Sequence, residues 1–98
     1  MKKSNTNLTH DLFEKNIDEH CKFENLKNPR SKRPDLHAFL LLDELQPNNR
    51  DIIMAAEHDE IYLEIDLETL IITEEQVIEL LQCGVSYDSS RNCFYMFV

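Results

Sequence analysis

The final stretch CFYMFV (93–98) constrains the fold more than any other part of this sequence. On a β-strand, alternate side chains lie on opposite faces. Both faces are then apolar, with Cys93, Tyr95 and Phe97 on one and Phe94, Met96 and Val98 on the other. The strand must therefore lie centrally in a sheet that is covered on both sides, or one of its faces must contact a partner. With residues 85–88 and a polar turn at 89–92, it forms a predicted hairpin.

The segment ITEEQVIELLQCG (72–84) predicts a helix over residues 73–83. Thr73 is a favourable N-cap, and Gln76, three residues later, completes a capping box. Apolar residues recur through the segment at helical spacing. Gly84 follows at the position where a left-handed residue commonly ends a helix. This helix supplies an apolar face that can cover one side of a sheet.

The segment DIIMAAEHDEIYLEID (51–66) predicts either one long strand or two strands with a bend near His58. In its second half the side chains alternate between apolar and polar, which is typical of a half-buried strand. The side chains predicted to face the core are Ile61, Leu63 and Ile65. The side chains predicted to face water are His58, Glu60, Tyr62, Glu64 and Asp66.

The first third of the chain predicts a helix followed by a linker. Thr9 is a favourable N-cap for a helix over residues 10–24. The segment NLKNPRSKRPD (25–35) contains two prolines and a run of basic residues. Because proline ends helices and biases the preceding residue to extended backbone, this segment is typical of a linker.

The next segment, DLHAFLLLDEL (35–45), is compatible with two structures. Its leucines, its alanine and a capping Asp35 favour a helix that ends before Pro47. A buried strand stays open as an alternative, because periodicity cannot decide the structure of short apolar runs. Residues 46–50 (QPNNR) predict a turn.

These elements together predict one small α+β domain, which suits a chain of 98 residues. Its core is a small, mainly antiparallel sheet with the 73–83 helix packed on it, preceded by the N-terminal helix and the basic linker. We assign residues 1–34 to the helix and linker, and residues 35–98 to an acidic core domain.

The two parts of the chain differ in charge. Residues 1–34 carry eight basic and five acidic side chains, a formal charge of +3. Residues 35–98 carry two basic and fourteen acidic side chains, a formal charge of −12. Such an asymmetry bears on partners rather than on fold, because the acidic part repels nucleic acid and attracts basic surfaces. The same charge also suits a solvated surface that keeps a small protein soluble.

Few residues suggest catalysis or metal binding. The candidate metal ligands lack the close pairs typical of zinc sites; they are His37, His58, Asp59, Glu60, Cys83 and Cys93. A single glycine excludes a glycine-rich phosphate loop. The pair Glu60 and Glu64 would need a cleft to act as acid and base. We therefore predict a protein without enzymatic activity, metal or cofactor.

The cysteines and the apolar runs predict where in the cell the protein is located. Three cysteines, an odd number, indicate reduced thiols, and Cys83 and Cys93 are predicted to be small buried residues. The N-terminus lacks the apolar region of a secretory signal. No apolar run approaches the roughly 20 residues that a membrane-spanning helix needs. We expect a cytoplasmic protein that does not associate with membranes.

The acidic strand face is predicted to bind a partner. Carboxylates at alternate strand positions form a regular row of negative charge, which is similar to the charge of a nucleic-acid backbone. A protein with a basic surface would bind such a row rapidly and with steep salt dependence. The predicted partner-binding residues are Glu57, Glu60, Tyr62, Glu64, Asp66, Glu75 and Glu79.

Two alternative functions stay open. The apolar C-terminal strand could pair with a second copy, making a homo-oligomeric structural protein such as a homodimer. The basic segment 27–33 could contact nucleic acid. Nucleic acid is not the partner we expect, because no aromatic residues interleave with the charges of that segment.

The strings AAEHDEIYL, CGVSYD and CFYMFV resemble a group of short, mostly uncharacterised proteins encoded by bacteriophages and prophages. The resemblance covers about residues 36–98. It implies a phage-type accessory protein. Many small phage inhibitors of host defence or of nucleic-acid enzymes are compact acidic domains of similar size and charge, and by that analogy we expect a protein that binds a host macromolecule. The resemblance implies no reaction and assigns no role to any residue.

Overall fold

The computed structural model describes residues 5–97, with side chains from residue 7 onward. The helices and strands follow in chain order as α1 (Asn5–Lys15), α2 (Pro34–Leu45), β1 (Ile53–Glu57), β2 (Glu60–Leu63), α3 (Glu74–Gln82), β3 (Ser86–Asp88) and β4 (Cys93–Phe97). Two short 3₁₀ turns, Ile17–Glu19 and Phe23–Asn25, lie between α1 and α2. The predicted α+β class is confirmed.

The four strands form one antiparallel sheet in the order β1-β2-β4-β3. β4 therefore has a strand on each side, as its apolar faces predict. On one face, Phe94 is fully buried and Met96 nearly so, whereas on the other Phe97 is 56% exposed. The predicted C-terminal hairpin is confirmed for β3 and β4, and Val98 lies outside the described residues. Because both edges of β4 are already paired, a second copy cannot add to β4 as a strand.

Residues 51–66 form a hairpin of two strands, which decides between the two predicted alternatives. The turn consists of His58 and Asp59. His58 has a φ of 56°, a left-handed backbone conformation typical of a tight hairpin turn. β2 ends at Leu63, so the predicted strand positions 64–66 lie beyond the end of the strand.

The predicted helix over 73–83 is confirmed as α3. Both bonds of the capping box are present: the Thr73 hydroxyl accepts from the Gln76 N–H (3.2 Å), and the Gln76 side-chain oxygen accepts from the Thr73 N–H (2.9 Å). Gly84 follows the helix with a φ of 92°, a backbone conformation that residues other than glycine rarely adopt.

The predicted N-terminal helix over 10–24 is wrong at both ends. α1 spans Asn5–Lys15, and Thr9 lies inside the helix, buried, rather than at its N-cap. A tertiary contact accounts for the early end. Cys21 adopts a left-handed φ of 62° and donates its N–H to the Leu81 carbonyl near the end of α3 (2.9 Å). The last carbonyls of a helix lack partners within it, so this contact competes with continued helix in the N-terminal segment.

Residues 35–45 are helical, which excludes the alternative of a buried strand. The prediction that Asp35 caps this helix is wrong, because α2 begins at Pro34 and Asp35 lies in its first turn, with Arg33 at the N-cap. Proline is favourable at the start of a helix, where its missing N–H is not needed. α2 ends at Leu45, before Pro47. The side chains that it buries are His37, Ala38, Leu41 and Leu42.

One hydrophobic core joins all the layers. The inward face of the sheet contributes Leu63, Phe94 and Met96, and α3 contributes Val77, Leu80 and Leu81. Phe13 of α1 belongs to the same core, with its ring centroid 5.1 Å from that of Phe94. Through Phe13, α1 therefore packs on the acidic part of the chain.

A buried histidine connects the basic linker to two helices. His37 has no exposed surface, and its Nδ1 accepts a hydrogen bond from the Arg30 N–H (2.9 Å). Its Nε2 lies 3.3 Å from the Glu79 carboxylate. Because Nδ1 accepts, the ring proton of the neutral imidazole resides on Nε2, which donates to Glu79. One side chain of α2 thus holds the linker and α3 together.

We predict that His37→Ala lowers the free energy of unfolding by about 2–4 kcal/mol, because it opens a cavity in the core and removes the hydrogen bonds to Arg30 and Glu79. Urea denaturation measures this loss. The control is His20→Ala, at a partly exposed histidine whose loss is expected to cost under about 0.5 kcal/mol. Equal effects of the two substitutions would show that His37 is not a structural link.

Candidate interaction surface

The sheet has one face that points away from α3. Side chains directly opposite in an antiparallel pair lie on the same face, and Tyr62 is opposite Tyr95. Their chain neighbours Leu63 and Phe94 point into the core that α3 shares, so Tyr62 and Tyr95 point the other way. The outward face, as we call it, carries Ala55, Glu57, Glu60, Tyr62, Ser86, Asp88, Cys93, Tyr95 and Phe97.

Two carboxylates oppose each other at the hairpin end of the outward face. Glu57 and Glu60 are register partners, a placement in which like charges repel. Each is bound by a different neighbour: Arg91 Nη2 lies 3.2 Å from the Glu57 carboxylate, and the Tyr62 hydroxyl donates to Glu60 Oε2 at 2.7 Å. These contacts offset the repulsion and fix both carboxylates in place.

Arg91 connects three strands across the outward face. Besides Glu57 of β1, its Nη1 contacts Asp88 Oδ2 at the end of β3 (3.2 Å). Its guanidinium carbon lies 4.6 Å from the ring centroid of Tyr62 in β2, a cation–π contact. Arg91 thus binds two carboxylates, and Glu60, bound by Tyr62, is the third acidic group of the cluster, so three negative charges stand against one positive charge.

The turn before β4 positions Arg91. Asp88 Oδ1 accepts hydrogen bonds from the backbone N–H groups of Ser90 (2.9 Å) and Arg91 (3.2 Å). Burial by itself would raise the pKa of Asp88, but the hydrogen bonds from Arg91 and Ser90 outweigh it and lower the pKa below its ordinary value. The bond to Asp88 in turn raises the pKa of Arg91. Both groups therefore remain charged at neutral pH.

Tyr62 is not the solvated tyrosine that the strand pattern predicts. Its side chain is only 5% exposed, because Arg91 lies over the ring. The hydrogen bond to the Glu60 carboxylate, with burial, raises the pKa of Tyr62 to about 12. The alternation correctly predicts that Tyr62 and Leu63 lie on opposite faces of the sheet. It does not predict that Arg91, on the same face as Tyr62, covers the tyrosine ring.

The predicted acidic row does not continue past β2. Glu64 lies beyond the strand and forms an ion pair with Arg50 (3.5 Å). Asp66 lies in a loop, where its N–H donates to the Gln46 side-chain oxygen (2.6 Å) and its carbonyl accepts from the Gln46 amide (3.0 Å). The expectation that Asp66 extends a regular strand row is wrong, because the strand ends at Leu63.

The two predicted residues on α3 lie elsewhere. Glu79 binds the buried His37, and Glu75 and Glu79 line an open groove of about 310 Å³ together with Lys27 of the linker. α3 packs against the inward face of the sheet, so this groove is separate from the outward face. Of the seven predicted residues, the structure brings Glu57, Glu60 and Tyr62 together.

The basic linker is partly neutralised by the acidic part of the chain. Arg30 forms an ion pair with Glu44 of α2. Lys27 lies beside Glu75 and Glu79 in the groove described above. The ion pair of Arg30 leaves one fewer cation of the linker for the phosphate binding that a nucleic-acid interface needs.

The sequence pattern missed Asp88 and Arg91. Arg91 lies 34 positions from Glu57 in the chain, and the turn that contains it is simply polar. A signal was present, since Arg91 is one of two basic residues among fourteen acidic ones in residues 35–98. An isolated cation in such a region is expected to find carboxylates.

The buried thiols of Cys83 and Cys93 are poorly suited to nucleophilic catalysis. Cys83 and Cys93 are buried as predicted, and burial raises the pKa of the Cys83 thiol to about 12 and that of Cys93 above its ordinary value. Such thiols are poor nucleophiles at neutral pH. Within residues 5–97, no group of three or more histidine, cysteine and acidic side chains is arranged to hold a metal ion.

Comparison with protein-family models, with curated proteins and with solved structures finds no match for this chain. Among the helices that the structure describes, none has the length and apolar character needed to cross a bilayer.

We predict that Arg91→Ala lowers the melting temperature more than Arg50→Ala does. The first substitution removes two ion pairs and the cation–π contact, and leaves Glu57 and Glu60 to repel each other. The second removes the 3.5 Å contact with Glu64. Thermal denaturation followed by circular dichroism measures both. An Arg91→Ala protein as stable as Arg50→Ala would contradict the role of Arg91.

We also predict that Glu60→Ala lowers the pKa of Tyr62 from about 12 towards its ordinary 10.0, which tyrosinate absorbance measures. Since the folded state favours the neutral phenol, this stabilisation is complete below pH 10 and disappears as the pH rises to about 12. Tyr62→Phe should remove this titration step, and Glu57→Ala should shift it less than Glu60→Ala. A Tyr62 that still titrates near 12 in Glu60→Ala would show that the hydrogen bond is not the cause.

Proposed function

We propose that this protein is a non-enzymatic interaction protein that binds a basic surface of a host protein through the outward face of its sheet. The observation that carries the proposal is the cluster of Glu57, Glu60 and Asp88 on a face that points away from α3, in which Arg91 binds Glu57 and Asp88 and Tyr62 binds Glu60. In keeping with the resemblance to phage proteins, we propose an accessory or inhibitor role in the cytoplasm of a host cell.

The geometry of the cluster supports binding rather than mere solvation. Each of its carboxylates has a defined partner, so little side-chain freedom is left to lose on association. Phe97 is 56% exposed on the same face, and Tyr95 is partly exposed beside it. Aromatic side chains are enriched at the centre of protein interfaces, and polar groups form the rim.

The acidic residues of α3 fit a partner surface less well. Glu79 is committed to the buried His37. Glu75 faces Lys27 across the groove, so that side of the molecule combines both signs of charge. The outward face also carries a cation, Arg91, but it has three carboxylates against that one positive charge, whereas the groove has two against Lys27. The outward face is therefore the more negative of the two.

Mimicry of nucleic-acid charge is a narrower form of the same proposal. It does not have the support of a long regular row, because Glu64 and Asp66 lie beyond the end of β2. What supports it is the local cluster alone. A nucleic-acid enzyme with a basic channel is thus one class of partner among several with basic surfaces.

Charge reversal tests the proposal with a matched control. We expect the double substitution Glu57→Lys/Glu60→Lys to weaken binding to a basic partner by at least about tenfold. The control Glu24→Lys/Glu75→Lys makes the same change of charge on the side of α3, and should keep most of the affinity. Circular dichroism establishes that both variants are folded.

The partner is obtained by affinity capture from a bacterial lysate, and its affinity for the three proteins is measured at low and high salt. Binding that persists unchanged at high salt, or that both double variants weaken equally, would contradict a specific role for the outward face.

A further inference from the structure

The edge of the sheet next to the outward face is open. β1 is an edge strand, paired with β2 on one side, and no other strand within residues 5–97 pairs with it. All five of its residues are exposed, including Ile53 (44%) and Met54 (49%). An edge of this kind presents unpaired N–H and C=O groups that can pair with another chain.

The register shows which backbone N–H and C=O groups of β1 point to the open edge of the sheet. The Glu64 N–H donates to the Ile52 carbonyl (2.6 Å), so on β2 the alternate residues 60, 62 and 64 direct their backbone groups towards β1. Ala55 and Glu57, their partners, point back at β2. Ala56, between them, therefore directs its N–H and carbonyl to the open edge.

The protection usual at sheet edges is weak here. Natural edges commonly carry lysine, proline or inward-pointing charges, yet residues 52–56 are all uncharged and contain no proline. An irregularity between Ile53 and Ala55 disturbs the start of the strand and leaves Met54 as the extra residue. From Ala55 to Glu57 the edge is regular.

The surroundings of this edge select the chemistry of an added strand. Asp51 lies at one end, and Glu57, Asp59 and Glu60 lie at the other. Beside Ile53, an open groove of about 530 Å³ is lined by the apolar residues Phe39, Ile61 and Met96, with Asp35 at the same groove. A second copy of this chain, with a net charge of −9, would bring further carboxylates to the same place, whereas a basic segment would not.

We propose that β1 accepts an extended segment of the basic partner as an antiparallel fifth strand. In this added strand, apolar and basic residues alternate. The apolar side chains lie on the inward side of the sheet, towards the groove, and the basic side chains lie on the outward face, near Glu57 and Glu60. Such strand addition takes affinity from main-chain hydrogen bonds and specificity from alternate side chains. The inference rests on the proposed function, because it concerns how the basic partner binds at the same surface.

The test uses a fluorescent peptide of about seven residues, the length of a typical strand, that alternates lysine and valine. The peptide residue opposite Ala56 has its side chain on the inward side of the sheet and its N–H directed at β1. The valines occupy this position and its alternates, because they are the apolar residues of the peptide. Methylation of the valine amides should weaken binding by at least about tenfold. Methylation of the lysine amides, which point away from β1, should be tolerated. All three peptides have the same charge.

Hydrogen exchange provides a second measurement on the whole protein. Binding of the unmodified peptide should slow exchange at the Ala56 amide by at least about tenfold, without a similar change along α3. Equal binding of the three peptides, equal weakening by both methylations, or an unchanged Ala56 amide would each overturn strand addition. Doubling of the molecular mass without peptide, with Ala56 protected, would also overturn it in favour of a second copy.

The charge-reversal variant separates the two proposals. If Glu57→Lys/Glu60→Lys abolishes partner binding but the peptide results fail, the outward face binds its partner without strand addition. If that variant binds the captured partner as tightly as the unmodified protein, both proposals fail together.

Discussion

Burial of one side of β4 is the constraint on which the rest of this structure depends. Phe94 is fully buried in the core, with its ring beside that of Phe13 in α1, and β4 bonds to a strand on each side. A central strand with that side chain in the core must present its alternate residues to the opposite face. The position of Tyr95 and Phe97, and with it the outward face, follows from the packing of Phe94.

The pairing register places two carboxylates opposite each other on the outward face, and neighbouring side chains must offset their repulsion. Pairing of β1 with β2 brings Glu57 opposite Glu60, an arrangement that is unfavourable by itself. The turn that leads into β4 supplies Arg91, which binds Glu57 and Asp88 and covers Tyr62. The result is a negative cluster with a fixed geometry on an exposed sheet, beside an open strand edge. Fixed charge and an open edge are complementary features for binding a basic, extended segment.

Local signals predicted the elements whose stabilisation is local. The capping box of Thr73 and Gln76 located α3, and the alternation before Leu63 located β2 and its inward face. Where a tertiary contact decides the structure, the prediction failed. α1 ends at Lys15 because the following chain turns to bond the end of α3 through Cys21, and no pattern in residues 10–24 reveals that contact. Burial of His37 between the linker and α3 was likewise invisible, since its partners are Arg30 and Glu79.

The candidate surface was predictable only in part, for the same reason. Glu60 and Tyr62 lie two positions apart on one strand, so strand periodicity places them on one face. Glu57 joins them only because the hairpin turn pairs it with Glu60. Arg91 reaches that hairpin from a turn 34 positions away from Glu57. The charge imbalance of residues 35–98 indicates that a partner is basic, but sheet order decides which carboxylates share a face.

The most direct test of the outward face is a map of backbone amide chemical shifts while the isotope-labelled protein is titrated with the captured basic partner. We expect the largest changes in β1, in the turn around Arg91 and at the outward positions of β2 and β4, with small changes along α3 and the linker. Largest changes along α3 and residues 25–33 instead would show that the partner binds the opposite side of the molecule.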